Sequence, residues 1–318
     1  MRVLLAGGGG FVGSHLADLM LARGDSVVAV DNFVTGRRSN IAHLGTHPQF
    51  SVIEHDVTHP FGPDLTTDRF DAVLDLASPA SPLDFATMPL EILAVGSTGT
   101  RNLLDLALAH GARFFLASTS EVYGDPQVHP QPESYLGNVS STGPRSCYDE
   151  AKRFSEAITM AYHRVHGLDV RIVRIFNTYG ERMRPNDGRV VNSFVTQALR
   201  NEPITLHGTG LQTRSFCHVS DEVRGLLAVL DGPLTGPVNV GNPAEFTVRQ
   251  LADLIIELTG STSTIVTAPH PAEREGDPMQ RCPDISLIRD TYGWQPTVEL
   301  RDGLHLMIDY FRTQEHIS

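Results

Sequence analysis

Cysteine is scarce: Cys147, Cys217 and Cys282 are the only three in 318 residues, too few for a disulfide framework in a chain of this length. The expectation is a reducing, cytoplasmic setting with buried or idle thiols. Positive charge is also short. With 25 basic against 37 acidic residues the formal net charge is -12, which excludes a broadly cationic groove for nucleic acid but leaves room for a local cationic pocket that takes a diphosphate. No apolar run approaches the ~20 residues of a membrane helix. Glycines interrupt the apolar start at residue 7, so it reads as a strand and not as a secretion signal. There is no repeat in the range of about 20–50 residues and no low-complexity tract. The 14 histidines show no His/Cys ligand spacing, so no metal site is expected. What remains is a chain long enough for about two domains and a core that needs no covalent staples.

Glycine is plentiful where the chain needs it. Residues 2–6 form a short apolar run ending in Gly7-Gly8-Gly9-Gly10-Phe11-Val12-Gly13, and residues 14–23 carry apolar side chains at helical spacing before Gly24. The order is strand, tight turn, helix. Gly7, Gly10 and Gly13 stand three apart, a spacing that brings the backbone close to a pyrophosphate and aims the helix N-terminus at its charge. A flexible loop without a ligand would share that composition. The apolar run 26–30 closes on Asp31, whose carboxylate suits adenosine ribose hydroxyls and repels a 2'-phosphate. NAD is therefore expected over NADP, although Arg37 and Arg38 follow closely and pull the other way. Residues 50–54 and 71–76 read as the third and fourth strands, with Asp56 and Val57 placed to meet an adenine edge.

The fourth strand runs into Leu76-Ala77-Ser78-Pro79-Ala80-Ser81-Pro82, at the carboxyl edge where open α/β sheets bind ligands. A long helical pattern follows over 89–110, with Gly96 and Gly99 inside it at a cost of about 1 kcal/mol each, which suggests close helix packing and a subunit contact. Residues 113–117 form the fifth strand and deliver Ser118–Tyr123 to the same edge. The Pro-, Gly- and Ser-rich stretch 125–147 is too long for an ordinary connector and suits a loop that covers substrate. Helix 148–166 and strand 170–174 complete a sixth pass. After Phe176-Asn177 the composition shifts to Arg, Pro, Gly and Asn, dividing the chain into domains 1–176 and 177–318, with some later segments returning to the first. Helices are expected at 190–200, 248–258 and 300–311, a strand at 204–207, and a charged segment at 273–284.

Tyr148 and Lys152, four apart on a helix, present a phenol and an ammonium to one spot. A nearby cation favours the phenolate and lowers a pKa whose reference value is about 10. The phenolate would then take a proton from a sugar or alcohol hydroxyl. A solvated helix face can show the same spacing.

Several stretches together carry a resemblance: Leu76–Pro82, Thr119-Ser-Glu-Val-Tyr-Gly-Asp125, Gly143-Pro-Arg-Ser-Cys-Tyr-Asp-Glu150, Arg174-Ile-Phe-Asn-Thr-Tyr-Gly180, Asn186-Asp-Gly-Arg-Val-Val191, Gln212-Thr-Arg-Ser-Phe216 and Arg281-Cys-Pro-Asp284. Over almost its whole length the chain resembles the extended short-chain dehydrogenase/reductase superfamily, in its nucleotide-sugar branch, and is most similar there to the UDP-glucuronic acid decarboxylases. The resemblance implies an α/β fold: a Rossmann-type doubly wound parallel sheet with a smaller C-terminal α/β substrate domain, assembled as a homodimer. NAD would be held by Gly7, Gly10, Gly13, Phe11, Val12, Asp31, Asn32, Asp56, Val57, Leu76 and Ala77, together with Tyr148 and Lys152. Tyr148 would be the base, Thr119 would hydrogen-bond the sugar hydroxyl being oxidised, and Glu121 and Arg281 would act near the carboxyl-bearing carbon. Ser81, Ser120, Asn177, Arg189, Val190, Gln212, Arg214 and Arg281 would bind the UDP-uronate substrate. The chain departs from the pattern at Ala6, where a Thr is usual, and at Gly96, where an Asn is usual.

The implied reaction oxidises C4 of UDP-glucuronate, loses carbon dioxide from the resulting β-keto acid and reduces C4 again to give UDP-xylose. A uronate 4-epimerase shares the fold and cofactor motifs and remains an alternative. A dTDP-hexose 4,6-dehydratase is disfavoured, because Ser120 stands where that enzyme carries an Asp, and serine is too weak an acid to protonate a leaving hydroxyl. A non-catalytic sensor of NAD or nucleotide sugar would not need Tyr148, Lys152, Thr119 and Glu121 together.

Overall fold

The computed structural model describes residues 1–67, 69–185, 187–269 and 278–314; Asn186 and the 273–277 part of the charged segment lie outside the described residues. The first apolar run is strand β1 (Arg2–Ala6), which turns through Gly7 at φ +79° into helix α1 (Phe11–Ala22). Six more strands follow: β2 (Ser26–Asp31), β3 (Phe50–Glu54), β4 (Ala72–Asp75), β5 (Arg113–Thr119), β6 (Val170–Ile175) and β7 (Pro237–Val240). They form one parallel sheet in the order β7-β6-β5-β4-β1-β2-β3. Ala6 is in register with Val30 on one side and Asp75 on the other, so the carboxyl ends of β1, β2 and β4 lie level. The chain reverses direction across the sheet between β1 and β4, and a crevice opens at such a switch point.

Helices cover both faces, which is why the central strands are continuous apolar runs and not alternating ones. Leu16 and Met20 of α1 pack with Leu226 and Val229 of α7 (Val219–Asp231) on one face. Leu103, Leu104 and Ala107 of α4 (Thr100–His110) fill the other. Beside α4 lies the long helix α5 (Ser146–His166).

The pattern at 89–110 is not one regular helix. It is α3 (Pro89–Ala94), a single wide π turn at Val95–Gly99, and then α4. The glycines explain the interruption. A Cβ on Gly96 would sit 2.7 Å from the Ala151 Cβ of α5, and one on Gly99 would sit 2.9 Å from a Val57 methyl. The Gly96 carbonyl accepts a 2.7 Å hydrogen bond from Ser155 Oγ across the same contact. The close packing expected from these glycines is thus within the chain.

A second lobe is built by α6 (Val190–Leu199), α8 (Val248–Thr259) and α9 (Leu300–Gln314), whose Phe194, Val195, Leu251, Ile255, Leu304 and Ile308 share a core. Two small sheets border it, Ile204–His207 with Ile265–Ala268 and Thr213–Ser215 with Glu245–Thr247. The two lobes are interleaved in sequence, because α7 and β7 come from the later half of the chain yet pack on the main sheet.

Candidate active site

The glycine turn is built for a close neighbour. A Cβ on Gly13 would lie 2.1 Å from the Gly7 carbonyl oxygen, and one on Gly7 2.6 Å from that of Leu76. Gly10 caps α1 without a side chain, so the N-cap offers no acceptor to the first N–H groups of the helix. Those donors and the positive end of the helix dipole suit a pyrophosphate. Asp31, at the end of β2, accepts from the Gly9 N–H at 2.9 Å and the Phe33 N–H at 2.8 Å, and burial raises its pKa. Asn32 donates to Asp56 at 3.0 Å. The two arginines that could favour a 2'-phosphate are engaged elsewhere. Arg37 donates to the carbonyls of Arg182 and Met183, while Arg38 pairs with Glu54 and stacks on Phe33.

At the ends of β4, β5 and β6 a cavity of about 770 Å³ opens between the lobes, large enough for a cofactor headgroup and a sugar nucleotide. Tyr148 enters from the first turn of α5, only 6% exposed, and its ring stacks on Phe85 of α2 (Pro82–Thr87) with centroids 4.8 Å apart. Burial pushes its phenol up to about 12, against the hydrogen bond from Thr119 and the charge of Arg189. Lys152, one turn on, donates to the Ala117 carbonyl at 2.9 Å, and burial lowers its pKa against the pull of Asp75 and Glu156. The ammonium is therefore anchored on β5, and in this structure burial outweighs the lowering of the Tyr148 pKa expected from the Tyr/Lys spacing.

Glu121 lies in the turn after β5, clamped between two arginines. Its Oε2 takes Arg145 at 2.6 Å and its Oε1 takes Arg281. Burial opposes its charge, but Arg145 and Arg281 outweigh burial and hold the carboxyl down at about 2. Asp149, on α5, is the reverse case. Burial and then the negative charge of Glu121 push it up to about 7, against Arg145 and Arg281. A second cavity of about 380 Å³ lies behind this cluster, lined by Asp149 together with Glu121, Arg145 and Arg281.

Of the residues singled out from the sequence, Val12, Leu76, Thr119, Ser120, Glu121, Tyr148, Lys152, Asn177, Arg189, Val190, Gln212, Arg214 and Arg281 line the main cavity. Gly7, Gly10, Phe11, Asp31, Asn32, Asp56, Val57 and Ala77 are not in its wall, and belong to or adjoin the carboxyl edge at β1 to β4. Ser81 is also behind the wall, where it caps α2 and accepts from Arg184 at 3.2 Å. Sequence reasoning assigned nothing to Phe85, Arg145 or Asp149. Arg145 and Asp149 flank Tyr148 closely enough for helical spacing to have flagged them, whereas Phe85 carries no signal short of the fold. Tertiary folding also gathers a His/Cys/Glu group that spacing does not show: ligand atoms of His129, Glu245 and Cys282 lie within 4.8 Å of one another. His129 and Glu245 already pair at 2.8 Å, and burial pushes the Cys282 thiol up to about 12.

A parallel sheet with a switch-point crevice, a bare helix N-terminus over a glycine turn and a buried Tyr/Lys pair together define a nucleotide-binding enzyme of the short-chain dehydrogenase/reductase class. The chain belongs to the NAD dependent epimerase/dehydratase family, whose pattern matches residues 3–241. It is 50% identical over 312 residues to UDP-glucuronic acid decarboxylase 2 of Arabidopsis thaliana, covering 98% of this chain and 68% of that protein. Among solved structures it is similar to UDP-glucuronic acid 4-epimerase from Bacillus cereus in complex with UDP-glucuronic acid and NAD, with TM-score 0.89, 27% identity and coverage of 99% and 100%. It is likewise similar to dTDP-glucose 4,6-dehydratase from Streptomyces venezuelae with NAD bound, with TM-score 0.90, 29% identity and coverage of 100% and 98%.

Proposed function

We propose that this chain binds NAD and converts UDP-glucuronate to UDP-xylose through a 4-keto intermediate. The observation that carries the reading is the Arg145–Glu121–Arg281 cluster in the wall of the cavity that also holds Tyr148, Thr119 and Lys152, in a chain half identical to a UDP-glucuronic acid decarboxylase. The residues present fit NAD: a glycine turn too tight for any side chain, a helix N-terminus that its N-cap residue leaves uncapped by a side chain, and Asp31 at the end of β2. When bound, NAD supplies a hydride acceptor and a cationic ring.

The chain's own residues do the rest. Thr119 and Tyr148 hold the sugar 4-hydroxyl, and Tyr148 takes its proton. Lys152, fixed by the Ala117 carbonyl one helical turn from Tyr148, binds the nicotinamide ribose. Two arginines less one glutamate give the cluster a net charge of +1, which attracts the substrate carboxylate and stabilises the enolate left when carbon dioxide departs. Asn177, Arg189, Gln212 and Arg214 supply polar contacts for the UDP end, and Ser120 adds a hydroxyl near the sugar. Incubation with UDP-glucuronate tests the proposal: a pentose and carbon dioxide are expected, galacturonate would replace decarboxylation by epimerisation, and no turnover would reject both.

Assembly and location belong to the same proposal. Leu90 and Leu93 on α3 and Phe154 on α5 are 74%, 40% and 48% exposed on neighbouring helices, an apolar face that supports a homodimer through α3 and α5. Light scattering should return twice the chain mass, and Leu90→Asp should return it to one. The three cysteines are free and buried, which supports a reducing compartment such as the cytoplasm.

A further inference from the structure

Decarboxylation has a proton balance that the groups facing the substrate leave open. Loss of carbon dioxide breaks the C5–C6 bond and leaves its electron pair on C5, shared with the C4 ketone as an enolate. Xylose needs a C5–H bond in that place. The proton Tyr148 takes from the 4-hydroxyl returns to the same oxygen when C4 is reduced, so it is not available. Each turnover therefore draws one proton from solvent, carboxylate plus proton giving carbon dioxide plus C–H. Glu121 is a poor carrier, because two arginines hold it ionised down to about 2.

Behind Glu121 the structure offers a better one. Glu121, Arg145 and Arg281 line both the main cavity and the second, so they form the partition between them, while Asp149 lines only the second. Asp149 is 6% exposed, and among the described residues its buried Oδ1 has no hydrogen-bond partner. Arg281 Nε, at the partition, is a buried donor without an acceptor among the described residues. An ionised carboxylate in that seat would be poorly satisfied, whereas a carboxylic acid carries its own donor and no charge. The outer lining includes Asn138 and Ser140, both exposed, so the second cavity communicates with solvent.

We propose that the second cavity is the proton entrance of the enzyme, and that Asp149 is the acid that supplies C5 by way of water hydrogen-bonded at the Glu121–Arg281 partition. The Asp149 O–H bond breaks, C5–H forms with the electron pair that carbon dioxide left behind, and the Asp149 carboxylate regains a proton from water in the second cavity. The proposal rests on the decarboxylase reading above. Asp149 is faced by Glu121, Arg145 and Arg281, and along its own helix by Cys147, Tyr148 and Glu150. Glu121 stays ionised, so a second negative charge beside it is disfavoured and Asp149 keeps its proton into the neutral range, despite a helix N-terminus that favours anions.

Asp149→Asn keeps the shape and removes the acid. With NAD and UDP-glucuronate the variant is expected to oxidise the sugar and release carbon dioxide, but to form pentose about 10²–10⁴-fold more slowly. The near-ultraviolet absorbance of reduced nicotinamide then accumulates. Pentose formation by the unaltered chain should fall above about pH 7, where Asp149 ionises, and that limb should be missing in Asp149→Asn. Ser140→Phe, which puts a ring in the outer wall of the second cavity and leaves the Asp149 carboxyl in the chain, should produce the same accumulation, and it decides the matter if Asp149→Asn does not fold. Pentose formation at the unaltered rate in these variants overturns the proposal. So does uniform slowing with no accumulation and the alkaline limb intact, the signature of a merely structural role. Failure of the underlying reading looks different: the unaltered chain would then release no carbon dioxide at all, and the proton entrance would fall with it.

Discussion

Tyr148 and Glu121 are both buried, but opposite surroundings set their protonation. At Tyr148 burial prevails over the hydrogen bond from Thr119 and the charge of Arg189. Glu121 touches two guanidinium groups, and these prevail over burial. Tyr148→Phe should therefore remove the proton acceptor while leaving the Phe85 stack intact, costing about 10²–10⁴-fold in kcat with no loss of fold, as measured by pentose formation and near-ultraviolet circular dichroism. Glu121→Gln should be worse for stability than for shape, because it removes the carboxylate that two guanidinium groups touch, one of them on a residue only 3% exposed. Removing one partner of a buried pair costs about 3–5 kcal/mol, so the midpoint of urea unfolding should fall sharply. Carbon dioxide release from UDP-glucuronate should fall with it, and release at the unaltered rate would remove Glu121 from the chemistry.

Between elements, the contact that matters most is α5 against the wide turn joining α3 to α4. α5 carries Tyr148, Asp149 and Lys152, so its depth decides where all three sit. Gly96 sets that depth, since its missing Cβ allows the Ala151 contact and the Ser155 hydrogen bond. Gly96→Ala should force the helices apart at a cost of about 1–3 kcal/mol, seen as a lower Tm together with reduced activity. The double variant Gly96→Ala, Ala151→Gly should recover much of both, because it exchanges the side on which the methyl group lies. Glycine at 96 is then a packing solution in which Ser155 Oγ supplies the hydrogen bond to the Gly96 carbonyl.

For the whole molecule, pH should act with two signs. Glu121, Glu181, Asp169 and Asp221 are held below their ordinary values by their partners, so the stability they contribute is present above the unfolded carboxylate range and is lost as pH falls. For Glu121 that window runs from 4.5 down to about 2. Asp31, Asp75, Asp149 and Glu222 are raised chiefly by burial. They favour the folded state most at low pH and progressively less as pH rises; for Asp149 this loss runs from 3.8 to about 7. Urea midpoints measured across this range should drop steeply on the acid side, and Asp149→Asn should flatten the decline toward neutrality. Much of the molecule was legible in advance. The strand, glycine turn, helix and Asp31 at the end of β2 depend on neighbours in the chain, and apolar runs buried on both faces leave a pattern that periodicity can read. The Tyr148/Lys152 pair was visible for the same reason, being one helical turn apart. The division of 89–110 into two helices was not, since it answers to Ala151 on another helix. That some later segment returns to the first domain was expected, but pairing with β6 alone decides that it is β7. The meeting of Glu121, Arg145, Asp149 and Arg281 was legible only in part, because it joins residues up to 160 positions apart. Local spacing carries backbone preference and burial pattern over a few residues; which charges face one another, and hence which carboxyl keeps its proton, is decided when the sheet order and the packing of the lobes bring distant side chains out of water together.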